Sequence, residues 1–477
     1  MAGLLIVAIG ALAVYGSFFF GVVSFGIDTT TYLQWHPWVP LGYPMFLSAI
    51  KETVGLRWTA LIQIALLVGS CAFASASVLR LTGIRFAGIA TMLLLLGHTE
   101  VFRLQGVLFS EGLFVPLLVT NAGAGLFYLA TKARRFAVLV ALTAAAAMFV
   151  RPAGYFLAAA VIFLILCLRD RRTLLWAGAS LLVFIACTAA VNYGVRGGAT
   201  QSQVGRVLLP HAAFLFAPSF APDHLRKYAF AVEATMTARR AEYAAISTRR
   251  ILRVTYSMND YNRRVDEFAG AIDTVCLADT QKNCSNETID AIMRDLFLAT
   301  IWQRPSGYLL LVADGLLEAW RTTIFAPWLG FNHVYSQESA AHDSRLRTAK
   351  DHNLPLGPDD IRLSQDLPKR WVADVLNSLD AVRIFITAQR WLIIVIGVIT
   401  FVAIPVSLFA RSTIWRSIGY CGVLIHGAML LTAATTVFIP RYALPVDMIV
   451  LIALAITASA MGSALSASEA RSKLPSH

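Results

Sequence analysis

The chain has 477 residues, 57% of them hydrophobic and only 14% charged, and its mean hydropathy is +0.65. That apolar share is too high and that charge share too low for an ordinary aqueous domain, so the composition identifies a membrane protein. The formal net charge of +12 does not call for nucleic acid; the basic residues gather in short loops, where anionic lipid attracts them.

A helix crosses the hydrocarbon with about 17–25 apolar residues, because every backbone N–H and C=O must be paired within the segment. About ten runs approach that requirement: approximately 2–24, 57–79, 84–99, 108–131, 135–150, 154–168, 173–193, 388–410, 417–439 and 442–462, the third, fifth and sixth being short. The first run lacks a basic leading region and a clear small-residue cleavage site, so it reads as a retained span rather than a signal peptide. The expected architecture is an all-α polytopic membrane protein. Residues 1–194 form an N-terminal membrane domain of about seven spans, 195–387 an external and mostly helical segment, 388–462 about three C-terminal spans, and 463–477 a cytoplasmic tail.

Lysine and arginine favour cytoplasmic loops. With the N-terminus inside, the inner loops carry Arg80 and Arg85, then Lys132, Arg134 and Arg135, then Arg169, Arg171 and Arg172, and finally Arg411 and Arg416. Of about seven acids outside the central segment, five map to the other side: Asp28, Glu52, Glu100, Glu111 and Asp447. Two signs of charge are sorted to two faces.

After the first run the chain reads FGIDTTTYLQWHPWVPLGYPMFLSAI, within an outer loop over 25–56, and Asp28 is its first charged side chain. Trp35, Pro37, Trp38 and Pro40 suit a loop pressed onto the membrane surface, and GYPMFLSAI opens an interfacial helix. Between the third and fourth runs HTEVFRLQGVLFSEG supplies His98, Glu100, Arg103 and Glu111. FVRPAGY ends the fifth run with Arg151, and IPRYALP joins the last two with Arg441 and Tyr442. Each residue also has a plain explanation: Asp28 as a helix N-cap, Glu111 at the positive end of a helix dipole, and the arginines snorkelling to headgroups.

Four of the six cysteines, Cys71, Cys167, Cys187 and Cys421, sit in apolar runs as small buried hydrophobes. Cys276 and Cys284 close CLADTQKNC in the external segment, where an oxidising compartment favours a disulfide and the spacing matches no zinc site. Within 195–387 roughly 22 basic residues balance 21 acids, as in a folded aqueous domain. Residues 302–331 are rich in aromatic and apolar side chains but carry Asp314 and Glu318 one turn apart. Such a stretch predicts a helix lying on the bilayer, near 306–322, rather than an eleventh span.

Acids and arginines from four outer loops thus share one face. Sugar transfer from a polyprenyl phosphate needs these groups: a carboxylate to take the acceptor hydroxyl proton, and arginine forks to hold the departing phosphate. The candidate catalytic acids are Asp28, Glu100 and Glu111. Arg151, Arg441 and Tyr442 are the candidate phosphate ligands, and Tyr32, His36, Tyr43 and Arg103 the candidate substrate contacts.

The order of VPLGYPMFL after the Asp28 loop, LFSEGLF, RPAGY, WQRPSGYLLL and RYALP resembles the GT-C superfamily of membrane glycosyltransferases, in particular its protein O-mannosyltransferase and aminoarabinose transferase branch. The resemblance covers the membrane half well and the external segment poorly. It implies an inverting transfer from an undecaprenyl- or decaprenyl-phosphate sugar to a lipid, glycan or protein acceptor. It also implies a multi-pass protein of the bacterial inner membrane, active on the periplasmic face, with Asp28 at the position of the catalytic acid. Many members carry a second acid beside it; here Thr29 follows, so no cofactor is called for and a divalent metal stays open. Membrane lipids are the remaining expected partners. The competing readings are a transporter or flippase of envelope glycans, and an O-antigen ligase or polymerase.

Overall fold

The computed structural model describes residues 2–19, 29–36, 39–168, 171–196, 204–244, 258–325, 390–435 and 440–472. About 89% helical, with no strand among the described residues, the protein is all-α. Among the described residues, five helices are long and apolar enough to cross a membrane: Leu56–Thr82, Glu111–Thr131, Leu175–Val195, Thr413–Thr435 and Pro445–Ala464. Five further apolar helices are shorter, and Arg85–Leu96 rises only about 18 Å against the about 30 Å of a hydrocarbon core.

Contacts divide the chain into two compact units, one of 1–199, 324–428 and 444–477, the other of 200–323 and 429–443. In the first, α1 (Ala2–Phe19) is followed by the short α2 (Thr29–Leu33) and α3 (Gly42–Thr53). Next come α4 (Thr59–Thr82), α5 (Arg85–Leu96), α6 (Thr99–Gln105), α7 (Glu111–Thr131), α8 (Arg134–Val150), α9 (Phe156–Leu168) and α10 (Arg171–Arg196). Helix α4 stops at Gly83, whose φ of 70° is the left-handed conformation that glycine adopts at no steric cost. Helix α8 stops at Arg151 because Pro152 follows: the residue before proline is driven from the helical region, and Arg151 is extended at φ −156° and ψ 136°.

Small and polar side chains tie these helices together, as they must where lipid gives no hydrophobic drive to association. Ser70 of α4 lies 2.9 Å from Thr120 of α7. On α7, Asn121 donates to the Val140 carbonyl at 2.9 Å and accepts from Tyr420 at 2.7 Å, so one buried amide joins three helices. Leu175, Leu182 and Val183 of α10 remain exposed, an apolar surface that suits lipid rather than water.

The second unit has an aqueous-type core. Helices α11 (Val204–His211), α12 (Arg226–Ala244), α13 (Met258–Thr280), α14 (Asn286–Gln303) and α15 (Pro305–Phe325) surround Leu209, Met236, Phe268, Met293 and Phe297. Ser285 caps α14 by accepting from the Thr288 N–H at 3.2 Å. Cys276 and Cys284 are joined in a disulfide with Cα atoms 5.6 Å apart, and the Asp273 carboxylate accepts the Cys284 N–H at 2.7 Å. The chain then continues in α16 (Arg390–Phe409), α17 (Thr413–Thr435) and α18 (Pro440–Ser472).

His211, fully buried at the end of α11, carries a pH signature. Burial pushes its pKa down from 6.5 to about 4, Arg264 adding to the effect and the Ala433 carbonyl opposing it. The unfolded chain therefore binds the proton first as pH falls. Stability is full above pH 6.5, declines between 6.5 and 4, and loses up to about 3 kcal/mol from this group. Unfolding followed across that window measures the slope, and His211→Leu is expected to flatten it.

Candidate active site

The groups named in the outer loops meet, in part, at the head of α7. Glu111 is the first residue of that helix, 1% exposed, where the positive helix end favours a carboxylate. Arg151, thrown out of α8 by Pro152, places Nη1 2.6 Å from Glu111 Oε1, and its own side chain is 13% exposed. The dipole and snorkelling explanations, each sound for one residue, miss that the two are partners. Glu111 is thus a buried carboxylate paired with an arginine, the arrangement in which removing either partner is costly.

The segment of α2 and α3 reaches the same place. Tyr32 donates to Ser110 Oγ at 3.1 Å, and Ser110 to Glu111 Oε2 at 3.4 Å. The Tyr32 and Tyr43 rings meet edge to face at 4.9 Å. Tyr43 in turn donates to Gln63 Oε1 at 3.0 Å, and Gln63 to the Gln105 carbonyl at 2.6 Å. Burial first, then the nearby Tyr32 and Glu111, raise the Tyr43 pKa well above 10, which keeps the phenol a neutral donor. Close approach makes this packing possible: a methyl added at Gly42 would stand 2.7 Å from the Phe149 carbonyl oxygen, so α3 lies directly on the end of α8.

Asp28 lies outside the described residues. Its neighbour Thr29 is fully buried and donates to the Leu108 carbonyl at 3.1 Å, three residues before Glu111. The Thr29 hydroxyl therefore fastens the start of α2 to the segment just before α7. Trp35 turns the chain with a φ of 54°, and His36, whose N–H bonds the Thr31 carbonyl at 2.9 Å, has its pKa lowered by burial.

Glu100 and Arg103 lie on α6, and Arg441 and Tyr442 in the first turn of α18, their side chains outside the description. Arg441 and Tyr442 fall in the second unit. A second polar contact joins His98 Nε2 to Asp447 Oδ2 of α18 at 3.4 Å, both within the first unit. Among the described residues no three His, Cys, Asp or Glu side chains are grouped as metal ligands. Sequence reasoning missed Gln63 and Ser110. A glutamine inside an apolar run was the available signal, because buried amides in membrane helices need dedicated partners.

No family model matches the chain, and neither a curated protein nor a solved structure matches it.

Proposed function

We propose that the chain is an integral membrane glycosyltransferase of the GT-C kind, with about ten spans, working on the periplasmic face of a bacterial inner membrane. It moves a monosaccharide from a polyprenyl phosphate to an acceptor hydroxyl. The observation that carries this reading is the Arg151–Glu111 pair, linked through Ser110 and Tyr32 to α2, the short helix that starts at Thr29, next to Asp28 in sequence.

The chemistry follows from the groups. Asp28 takes the proton as the acceptor oxygen attacks the sugar carbon, and the bond from that carbon to the phosphate oxygen breaks with its electrons left on phosphate. Arg151, whose planar guanidinium Glu111 orients, stabilises the growing charge. Attack from the side opposite the phosphate inverts the anomeric centre. The buried tyrosines hold the loop against α7.

Mass analysis of lipid-linked sugars and envelope glycans after gene deletion tests the reading. The expected result is loss of one glycan modification with accumulation of its polyprenyl-phosphate sugar. An unchanged glycan profile with altered uptake or export would establish a transporter instead.

A further inference from the structure

Helix α15 has two unlike faces. One is packed within the second unit: Tyr308, Leu311, Val312 and Gly315 recur at helical spacing, and Leu311 lies against Leu215 and Val265. The same face meets the last turn of α17. Tyr308 donates its hydroxyl to the Ala434 carbonyl, and a methyl added at Gly315 would stand 3.2 Å from the Ala433 side chain. The opposite face carries Leu309, Leu310 and Leu317, exposed by 67%, 72% and 63%, with exposed Ser306 and Ala313 between them. Asp314 sits half-buried on the flank.

Three leucines aligned toward solvent on one stripe are unfavourable for a helix in water. The contact with Ala433 and Ala434 says what covers them. These alanines end Thr413–Thr435, one of the described helices long and apolar enough to cross a membrane, so α15 is fastened to the terminus of a helix whose end, in a bilayer, would stand where hydrocarbon gives way to headgroups. The apolar part of α15, Pro305–Leu317, rises only about 20 Å, too little to cross. Exposed Trp302 and Arg304 stand just ahead of it, residue types that anchor at the interface.

We infer that the outer face of α15 is a lipid-contact surface lying in the boundary between headgroups and acyl chains, with the bilayer itself as its partner. This goes beyond the transferase reading and holds whether or not the chain transfers sugar.

The test uses the full chain in phosphatidylcholine–phosphatidylglycerol vesicles. Cys187, the exposed free cysteine, is replaced by alanine, and an environment-sensitive fluorophore is attached at L310C, L317C or, as control, the exposed G270C, where an added side chain meets nothing. The signal of the labelled parent is subtracted. Lipids spin-labelled near the headgroup are expected to quench positions 310 and 317 more strongly than lipids labelled near the chain end, the depth being about 5–10 Å, and to leave 270 unquenched. Strongest quenching at 310 by the deep label would mean that the helix crosses, and would overturn the inference. Absence of quenching at both sites, with a blue-shifted emission, would show a protein partner and overturn it equally.

Discussion

Replacing Arg151 by alanine is expected to destabilise the protein by about 3–5 kcal/mol, the cost of leaving a buried carboxylate without its cation. The magnitude follows from the burial of Glu111, which is 1% exposed with Arg151 Nη1 2.6 Å away. An exposed pair of the same length would be worth far less, about 0–1 kcal/mol. Glu111→Gln is expected to be costly too, because it strands the guanidinium. The double variant Glu111→Gln with Arg151→Met should recover much of the loss, since apolar or neutral replacements of both partners remove the two uncompensated charges together. Thermal and denaturant unfolding in detergent, run as a double-mutant cycle, measures the coupling. Single variants that each lose less than about 1 kcal/mol would place the pair in a wetter setting and remove the basis for orientation of Arg151 by Glu111.

That pair also marks what sequence can and cannot yield here. Periodicity and apolar length locate α4, α7 and α10 well, because lipid imposes one requirement on every residue of a crossing helix. For the short run at 84–99 they give less: the helix covers Arg85–Leu96, and the turn after it places His98 near Asp447, 349 residues away. Proline before a turn is legible, so the end of α8 at Arg151 could be read from RPAGY. Its partner could not. The Glu111–Arg151 contact joins two helix ends through folding alone, and nothing in either local pattern names the other. Gln63 is hidden for a related reason: within an apolar run one amide changes the mean hydropathy little, yet it alone receives the Tyr43 hydroxyl. Thr29 is the sharper lesson. Read as a missing acid, it is instead a buried donor to the Leu108 carbonyl, so a carboxylate there would lose the bond and face an oxygen.

Asp28→Asn is expected to lower transfer from a radiolabelled polyprenyl-phosphate sugar by at least about 100-fold, the lower end of what a general base contributes, while protein abundance stays unchanged. Asparagine keeps the size and shape of the side chain but cannot accept the acceptor's proton at neutral pH. The effect should therefore fall on kcat rather than on KM for the donor. Asp28→Glu, which keeps the carboxylate but moves it by one methylene, should restore part of the rate. Arg151 offers the contrast. A cation that holds phosphate contributes to donor binding as well as to the leaving group, so Arg151→Lys should raise KM for the donor as well as lower kcat, because an ammonium lacks the fork that Glu111 orients. Undiminished transfer by Asp28→Asn would remove that residue as the base. The Arg151 effect would then stand or fall separately, since it tests how the phosphate is held rather than where the proton goes.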